Sequence, residues 1–311
     1  MQLPIAAILL FLLVFPVFGE SSPSLPGLME KSLVGRDLKL GRVLARNAKY
    51  TRYYITYYSN DLKISGIMNV PSGKGPFPVL ILNHGYINPK IYTNGRGLKR
   101  EQDYLARRGY IVIHPDYRNH AFSDKDDDVD AGFRLGYVED AINAVLAVKR
   151  SDYPFFDGER IGMLGHSMGG GVVLNVLVTR PELVKAAVLF APVSADYRDN
   201  FSRWLWRRKG NQAIAERILA RFGSPESNPE FWGRLSAINY FDKVLAPVMI
   251  HHGTADQSVP IDWSKRTDQA LKKNGKEVSF YGYPGEPHEF AAAWPAVMER
   301  TVKFFDRVVK K

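Results

Sequence analysis

The motif Gly165-His166-Ser167-Met168-Gly169 constrains the fold more strongly than any other stretch of the sequence. An apolar run over residues 161–164 precedes it, and a helical run without a breaker before Pro181 follows it. A strand, a tight turn and a helix are therefore predicted in that order, with the pattern Gly-x-Ser-x-Gly at the turn. Such a turn strains the serine backbone and crowds its neighbours, which explains why both flanking positions are glycine. Taken alone, these five residues also fit a glycine-rich strand-to-helix turn in another kind of α/β protein.

The same arrangement suits a chemical role for Ser167. A serine hydroxyl is a poor nucleophile, so it has to stand clear of the backbone, where both a base and a substrate carbonyl can reach it. The predicted helix begins at Met168, and its free N–H groups and positive dipole end lie beside the charge that develops on a substrate oxygen. We therefore predict that Ser167 is a nucleophile.

The rest of the chain alternates between apolar runs and helical patterns. Continuous apolar runs are expected for strands buried on both faces of a parallel sheet, and they occur at residues 78–82, 110–114, 161–164, 183–190 and 247–251. Helical patterns lie between and after them, at residues 97–108, 133–150, 261–274 and 294–309. This alternation predicts an α/β fold with a mostly parallel, doubly wound sheet. Runs rich in β-branched and aromatic residues at 41–45, 50–58 and 62–70 predict antiparallel edge strands before it.

The N-terminus predicts export. Residues 5–18 are apolar except for Pro16, and small residues suited to cleavage precede Glu20. The run is shorter than the ~20 residues that a membrane-spanning helix needs. We predict a cleaved signal peptide over residues 1–19, a periplasmic or extracellular protein and no stable membrane anchor. An uncleaved anchor is the alternative, because the first four residues contain no Lys or Arg.

Composition excludes several classes of site. The 311 residues include 42 Lys and Arg against 32 Asp and Glu, a net charge of +10, but the basic residues form no long run. We therefore expect no nucleic-acid partner. The chain has no cysteine, which excludes disulfides, thiolate metal sites and a cysteine nucleophile. No cofactor and no metal site are expected, and the oligomeric state is left open.

A serine nucleophile at such a turn requires an acid and then a histidine downstream, each just after a strand. Asp256 follows the predicted strand that ends near residue 251, and His288 follows the next predicted strand, residues 277–281, just before the last helix. His288 would take the proton from the Ser167 hydroxyl, and Asp256 would fix the tautomer of His288 and stabilise its charged form.

The oxyanion of such a reaction needs two N–H donors. Met168, the residue after the nucleophile, would supply one of them. The loop after the strand at 79–82 reads Asn83-His84-Gly85-Tyr86, and a His-Gly step lets the backbone turn an N–H inward. We therefore predict the backbone N–H of Tyr86 as the second donor.

One interval, about residues 195–241, breaks the alternation. It contains no buried strand, only short helical patterns with Pro and Gly between them. We predict a helical cap over the strand ends, inserted into a single domain of residues 38–311 that follows an N-terminal linker at 20–37. The cap aromatics are candidate substrate contacts, or they pack the small core of the cap itself: Trp204, Trp206, Phe231 and Trp232.

The chain resembles the α/β-hydrolases, and more narrowly the catalytic domain of the prolyl-oligopeptidase family, over residues 62–309. The resemblance is carried by residues 83–86, 104–118, 165–170 and 252–256 and by Pro287-His288. It implies the α/β-hydrolase fold and a serine hydrolase with a Ser167-Asp256-His288 triad.

The resemblance leaves ester and peptide substrates open. Relatives that cleave peptides usually carry a β-propeller ahead of this domain, and we expect none here because only about forty residues precede the first predicted strand. Small carboxylic esters, short peptides and amides are therefore all candidate substrates, and a carboxylesterase without peptidase activity is one alternative. A non-catalytic module that binds a surface or a partner is the alternative from another class, and an intact triad argues against it.

Overall fold

A computed structural model of the protein describes residues 22–129 and 132–311. The predicted signal peptide, residues 1–19, lies outside these ranges. Within them, no helix is both long enough and apolar enough to cross a membrane.

Nine strands of the described chain form one sheet, in the order β1-β2-β3-β5-β4-β6-β7-β8-β9. Their bounds are β1 (Gly35–Arg46), β2 (Tyr50–Ser59), β3 (Leu62–Pro71), β4 (Phe77–Asn83), β5 (Ile111–Pro115), β6 (Phe156–His166), β7 (Ala186–Phe190), β8 (Val248–Gly253) and β9 (Val278–Tyr283). The first three strands pair antiparallel, and β3 pairs antiparallel with β5. All pairs from β5 to β9 are parallel, which confirms the predicted sheet.

Helices cover both faces of this sheet. They are α1 (Leu25–Glu30), α2 (Lys99–Ala106), α3 (Leu135–Lys149), α4 (Met168–Thr179), α5 (Tyr197–Asn200), α6 (Gln212–Phe222), α7 (Pro229–Arg234), α8 (Ile261–Lys273) and α9 (Trp294–Val308). Alternate residues of β4, from Val79 to Leu82, belong to two separate apolar clusters. One cluster includes residues of α1, α3, α4 and α8, and the other includes residues of α2 and α9. The central strands are therefore buried on both faces, which is why they appear in the sequence as continuous apolar runs.

The segment predicted as a linker, residues 20–37, is instead partly regular structure. It contains α1, where the Ser24 hydroxyl accepts the Gly27 N–H at 3.1 Å, and β1 already begins at Gly35. Leu25 and Leu28 are buried in the main core. Their i, i+3 spacing places both on one face of a short helix, a pattern that the surrounding Ser, Pro and Gly residues obscure.

The interval between β7 and β8 is a helical cap. It consists of α5, a π-helical turn at Phe201–Trp206, α6, α7 and a 3₁₀ segment at Ala237–Lys243. The cap has an apolar cluster of its own, which Phe133 joins from the loop before α3. The other buried members of this cluster are Phe201, Ala215, Ile218, Phe222, Phe231, Trp232 and Leu235.

Candidate active site

Ser167 is the single residue between β6 and α4, and its backbone is strained. Its φ of 55° and ψ of −118° lie in a region that non-glycine residues rarely adopt, at a cost of roughly 1–3 kcal/mol. The Ser167 N–H donates to the Phe190 carbonyl at 2.9 Å, and the Ser167 carbonyl accepts the Val193 N–H at 3.1 Å. Bonds to the neighbouring strand and the loop after it therefore hold this conformation.

The glycines around Ser167 are required by close backbone contacts. A Cβ atom on Gly165 would lie 2.3 Å from the Gly169 carbonyl oxygen, and one on Gly169 would lie 2.0 Å from the Asn83 carbonyl oxygen. A Cβ on Gly85 would lie 3.2 Å from the Ser167 Cβ. The turn and the loop after β4 are thus packed directly against each other at Ser167.

The structure brings Asp256 and His288 together across the ends of β8 and β9. The His288 Nδ1–H donates to Asp256 Oδ2 at 2.6 Å. Because Nδ1 carries this proton, the other ring nitrogen of neutral His288 is a proton acceptor. Ser167 and His288 line the same cavity of about 430 Å³.

The Asp256 side chain is fully buried and remains ionised. Its Oδ1 accepts the N–H groups of Ser258 at 2.7 Å and Val259 at 2.9 Å. Burial by itself raises the pKa of Asp256, but hydrogen bonds from His252, His288 and Val259 outweigh burial and hold this pKa well below its usual range. Asp256 is therefore a carboxylate at neutral pH.

His252, to which no motif of the sequence assigns a role, contacts the same carboxylate. Its Nε2 lies 3.0 Å from Asp256 Oδ2 and 3.0 Å from the Val259 carbonyl oxygen, and its Nδ1 lies 2.7 Å from Ser264 Oγ. Both neighbours of Nε2 are acceptors, so Nε2 carries the proton and the Ser264 hydroxyl donates to Nδ1. Two histidines thus share one oxygen of Asp256. No three His, Asp or Glu side chains of the described ranges are grouped as metal ligands.

His166 supports the loop that carries His288. The rings of the two residues are 4.5 Å apart between centroids, and His166 Nε2 donates to the His288 carbonyl oxygen at 3.2 Å. Burial lowers the pKa of His166 to about 3, so this ring is neutral at physiological pH.

The two predicted oxyanion donors lie beside Ser167. Met168 is the first residue of α4, so its N–H has no acceptor within the helix. Tyr86 follows Gly85 in the loop packed against Ser167, and its side chain is half exposed. The Arg134 guanidinium lies 5.1 Å from the centre of the Tyr86 ring, and Arg134 Nη1 is 3.6 Å from Met168 Sδ.

Two cavities meet at Ser167. The His288 cavity, of about 430 Å³, is bordered by Gly85, Tyr86, His166, Ser167, Phe190 and His288. The cap cavity, of about 440 Å³, lies under the helical insertion and is bordered by Tyr86, Phe133, Arg134, Ser167, Met168 and Trp204. Ser167 and Tyr86 border both, so a substrate bound at Ser167 has room on two sides.

The four predicted aromatic contacts separate into three groups. Trp204 lines the cap cavity, as expected of a substrate contact. Trp206 is 49% exposed on the outer surface of the cap. Phe231 and Trp232 are buried in the apolar cluster of the cap and do not line the cap cavity. These two aromatics therefore pack the small core of the cap, which was the alternative to substrate contact. A helical insertion needs such buried aromatic area to fold.

Residues 97–311 match the model of the prolyl oligopeptidase family, which is more than half of the chain. The chain belongs to the prolyl oligopeptidase family. It is a serine hydrolase of that family, and the predicted resemblance is confirmed.

A curated relative matches this chain over most of the length of both proteins. The chain is 26% identical over 239 residues to the uncharacterized peptidase YtmA of Bacillus subtilis (strain 168), covering 76% of this chain and 86% of YtmA. The chain spans only 39%, 31% and 25% of three longer curated relatives: the uncharacterized peptidase YuxL of Bacillus subtilis (strain 168), the acylamino-acid-releasing enzyme of Rattus norvegicus and dipeptidyl peptidase 8 of Mus musculus.

Solved structures of both peptidases and esterases share the fold. Acetyl xylan esterase 1 from Thermoanaerobacterium sp. JW/SL YS485 has a TM-score of 0.68 at 20% identity, covering 90% of this chain and 92% of the esterase. The Pyrococcus horikoshii acylaminoacyl peptidase has a TM-score of 0.65 at 23% identity, covering 85% of this chain and 42% of the peptidase. The fold is therefore the α/β-hydrolase fold.

Proposed function

We propose that this family member hydrolyses small carboxylic esters and short peptides or amides through an acyl-enzyme on Ser167. The observation that carries the proposal is the position of Ser167, which is strained and borders two cavities, one of them also lined by His288, the hydrogen-bond partner of Asp256. A strained backbone at a residue whose side chain faces two cavities is typical of a functional site.

In the acylation step, Ser167 Oγ attacks the substrate carbonyl carbon while His288 Nε2 takes the hydroxyl proton. The Tyr86 and Met168 N–H groups stabilise the negative charge that forms on the carbonyl oxygen. His288 then protonates the leaving oxygen or nitrogen as its bond to the carbonyl carbon breaks. The carboxylate of Asp256 stabilises the charged form of His288 between these two transfers.

In the deacylation step, water takes the place of the leaving group. His288 removes a proton from this water as its oxygen attacks the acyl carbon, and then returns a proton to Ser167 Oγ as the ester bond to the enzyme breaks. The products are a carboxylic acid and an alcohol or amine. This cycle uses only groups of the chain and water.

A carboxylesterase without peptidase activity is the second candidate. The acetyl xylan esterase supports it, because that protein and this chain cover each other almost completely, at 92% and 90%. The YtmA relationship supports the peptidase assignment instead.

The test is a paired rate assay on a chain that starts near Glu20. Short p-nitrophenyl acyl esters are compared with aminoacyl and proline-containing p-nitroanilides, with Ser167→Ala in parallel. Ester turnover alone, abolished in Ser167→Ala, identifies a carboxylesterase, and anilide turnover at comparable efficiency identifies a peptidase. If neither class is hydrolysed, the proposal fails and a non-catalytic binding module replaces it.

We also propose that the chain is exported. The apolar run at residues 5–18 and the small residues before Glu20 support this proposal. The full chain is expressed in a bacterial host and its N-terminus is sequenced from each fraction. A periplasmic or extracellular chain that starts near Glu20 supports export with cleavage, whereas a cytoplasmic chain that retains Met1 contradicts it.

A further inference from the structure

We propose that the preferred substrates carry an anionic group on the acyl part, and that basic side chains of the cap cavity bind that group. The inference rests on the proposed function and names a substrate class for it. Three observations support it: the side of Ser167 on which the acyl part lies, the charges that line that side, and the placement of Arg134.

The position of His288 assigns one cavity to each part of the substrate. The leaving group receives its proton from His288, so it occupies the cavity that His288 lines together with Glu289 and Phe290. The cap cavity is lined by Ser167 and Met168 but not by His288. The acyl part therefore lies in the cap cavity.

The cap cavity combines an apolar body with positive charge. Its apolar lining includes Val172, Val193, Leu205, Ile214 and Leu235. The charged residues on its lining are Arg134, Arg208 and Lys209, and no Asp or Glu occurs among its described lining residues. A cavity of about 440 Å³ with this lining fits an acyl chain of several carbons that ends in a carboxylate. The ammonium group of an unblocked aminoacyl substrate would meet like charge there.

Arg134 is the basic residue of the cap cavity that contacts the side chains of Tyr86 and Met168. Phe133 and Arg134 both have positive φ, 54° and 61°, and Phe133 is buried in the cap cluster. The backbone conformation of these two residues and the buried Phe133 ring fix the position of this turn of the chain. The Arg134 guanidinium lies against the side chains of Tyr86 and Met168. Arg134 thus places positive charge beside both predicted oxyanion donors.

Arg208 and Lys209 lie at the mouth of the same cavity. Both are exposed, in the turn between the π-helical segment and α6, and neither side chain forms an ion pair with a described residue. The next residue toward the N-terminus, Arg207, is also exposed but does not line the cap cavity. Arg207 is therefore a matched control for charge in this turn.

The test compares three p-nitrophenyl esters of similar length: the monoester of adipic acid, its methyl-capped neutral form and the 6-aminohexanoyl ester. We expect kcat/KM to be highest for the anionic ester, lower for the neutral ester and lowest for the cationic ester. The first two should differ about tenfold, which is the size expected for a substrate carboxylate about 4 Å from a basic side chain in a half-open site. The preference should weaken as ionic strength rises from 0.01 M to 0.5 M. Suberate and sebacate monoesters vary the distance between the carboxylate and the ester.

The variants Arg134→Gln and Arg208→Gln/Lys209→Gln assign the preference to the cavity. Each should lower the ratio of anionic to neutral kcat/KM about threefold or more, whereas Arg207→Gln should leave that ratio unchanged. Arg207→Gln removes one positive charge from the same turn, so it measures how much a change in the overall charge of +10 contributes per unit charge. If a variant does not fold, the ratio of anionic to neutral kcat/KM on the unmodified chain still tests the proposed preference for an anionic acyl part.

Failure of this inference is distinguishable from failure of the proposed function. Neutral esters that are hydrolysed through Ser167, with no faster turnover of any dicarboxylate monoester, would overturn the inference and leave the proposed function intact. An equal loss of preference in Arg207→Gln and in the cavity variants would also overturn it. If no ester of any charge is hydrolysed, the proposed function fails and the inference with it.

Discussion

At the scale of single residues, the candidate site depends on how Asp256 is held. One of its oxygens accepts two backbone N–H groups, and the other faces both His288 and His252. His288 was predictable because the order of serine, acid and histidine along the chain is part of a motif. His252 was not, because its contact depends on the curvature of the loop between residues 252 and 256, which no sequence pattern specifies.

His252 should act as a positioning residue for Asp256. We expect His252→Ala to lower kcat roughly tenfold with little change in KM, well short of the roughly 10⁴-fold loss expected for Asp256→Asn. The measurement is steady-state kinetics on a p-nitrophenyl ester. Ser264→Ala should produce a smaller loss, because it removes only the hydroxyl that fixes the His252 tautomer. Full activity in His252→Ala would contradict this role.

Asp256 should also make stability depend on pH. In the unfolded chain its carboxyl titrates near its usual pKa of about 3.9, and in the folded chain its pKa is lowered. Its stabilising contribution is therefore complete above about pH 4 and is lost as the pH falls toward the folded pKa. We expect the difference in Tm between the unmodified chain and Asp256→Asn to shrink below pH 4. A difference that stays constant from pH 7 to pH 3 would contradict this linkage.

At the scale of elements, the sequence was most informative where burial is uniform. Parallel strands such as β4 and β7 are buried on both faces, so their apolar runs identified them directly. The break in the strand–helix alternation predicts the cap as an insertion but does not assign roles to its aromatics. An amphipathic helix shows which face is apolar, not whether that face meets a substrate or another helix.

Substitutions of the cap tryptophans test which aromatics pack the core of the cap and which contact the substrate. We expect Trp232→Ala to cost about 3–5 kcal/mol in the free energy of unfolding, since a fully buried ring leaves a cavity in the cap. Trp204→Ala should instead raise KM for esters with longer acyl chains, with a smaller effect on stability. Trp206→Ala, at an exposed position of the same turn, is the control and should change neither quantity. Denaturant unfolding and kinetics on an acyl series measure both.

At the scale of the whole molecule, the fold places one serine where two cavities meet. The sheet order brings the loops after β4, β6, β8 and β9 to one edge, and each contributes a residue of the candidate site. The sequence predicted these loops, because strand order along the chain and the motifs at strand ends were both visible. It did not predict the two cavities, since their walls come from segments as distant as the loop before α3 and the cap.

Covalent labelling of the proposed nucleophile tests the central claim most directly. The chain is incubated with a fluorophosphonate probe, digested and mapped by mass spectrometry, beside Ser167→Ala and His288→Ala. We predict one modified site, Ser167, with no labelling in Ser167→Ala and at least a hundredfold slower labelling in His288→Ala. Absence of label on Ser167 in the folded chain, or labelling whose rate does not depend on His288, would contradict the proposed nucleophile and its base.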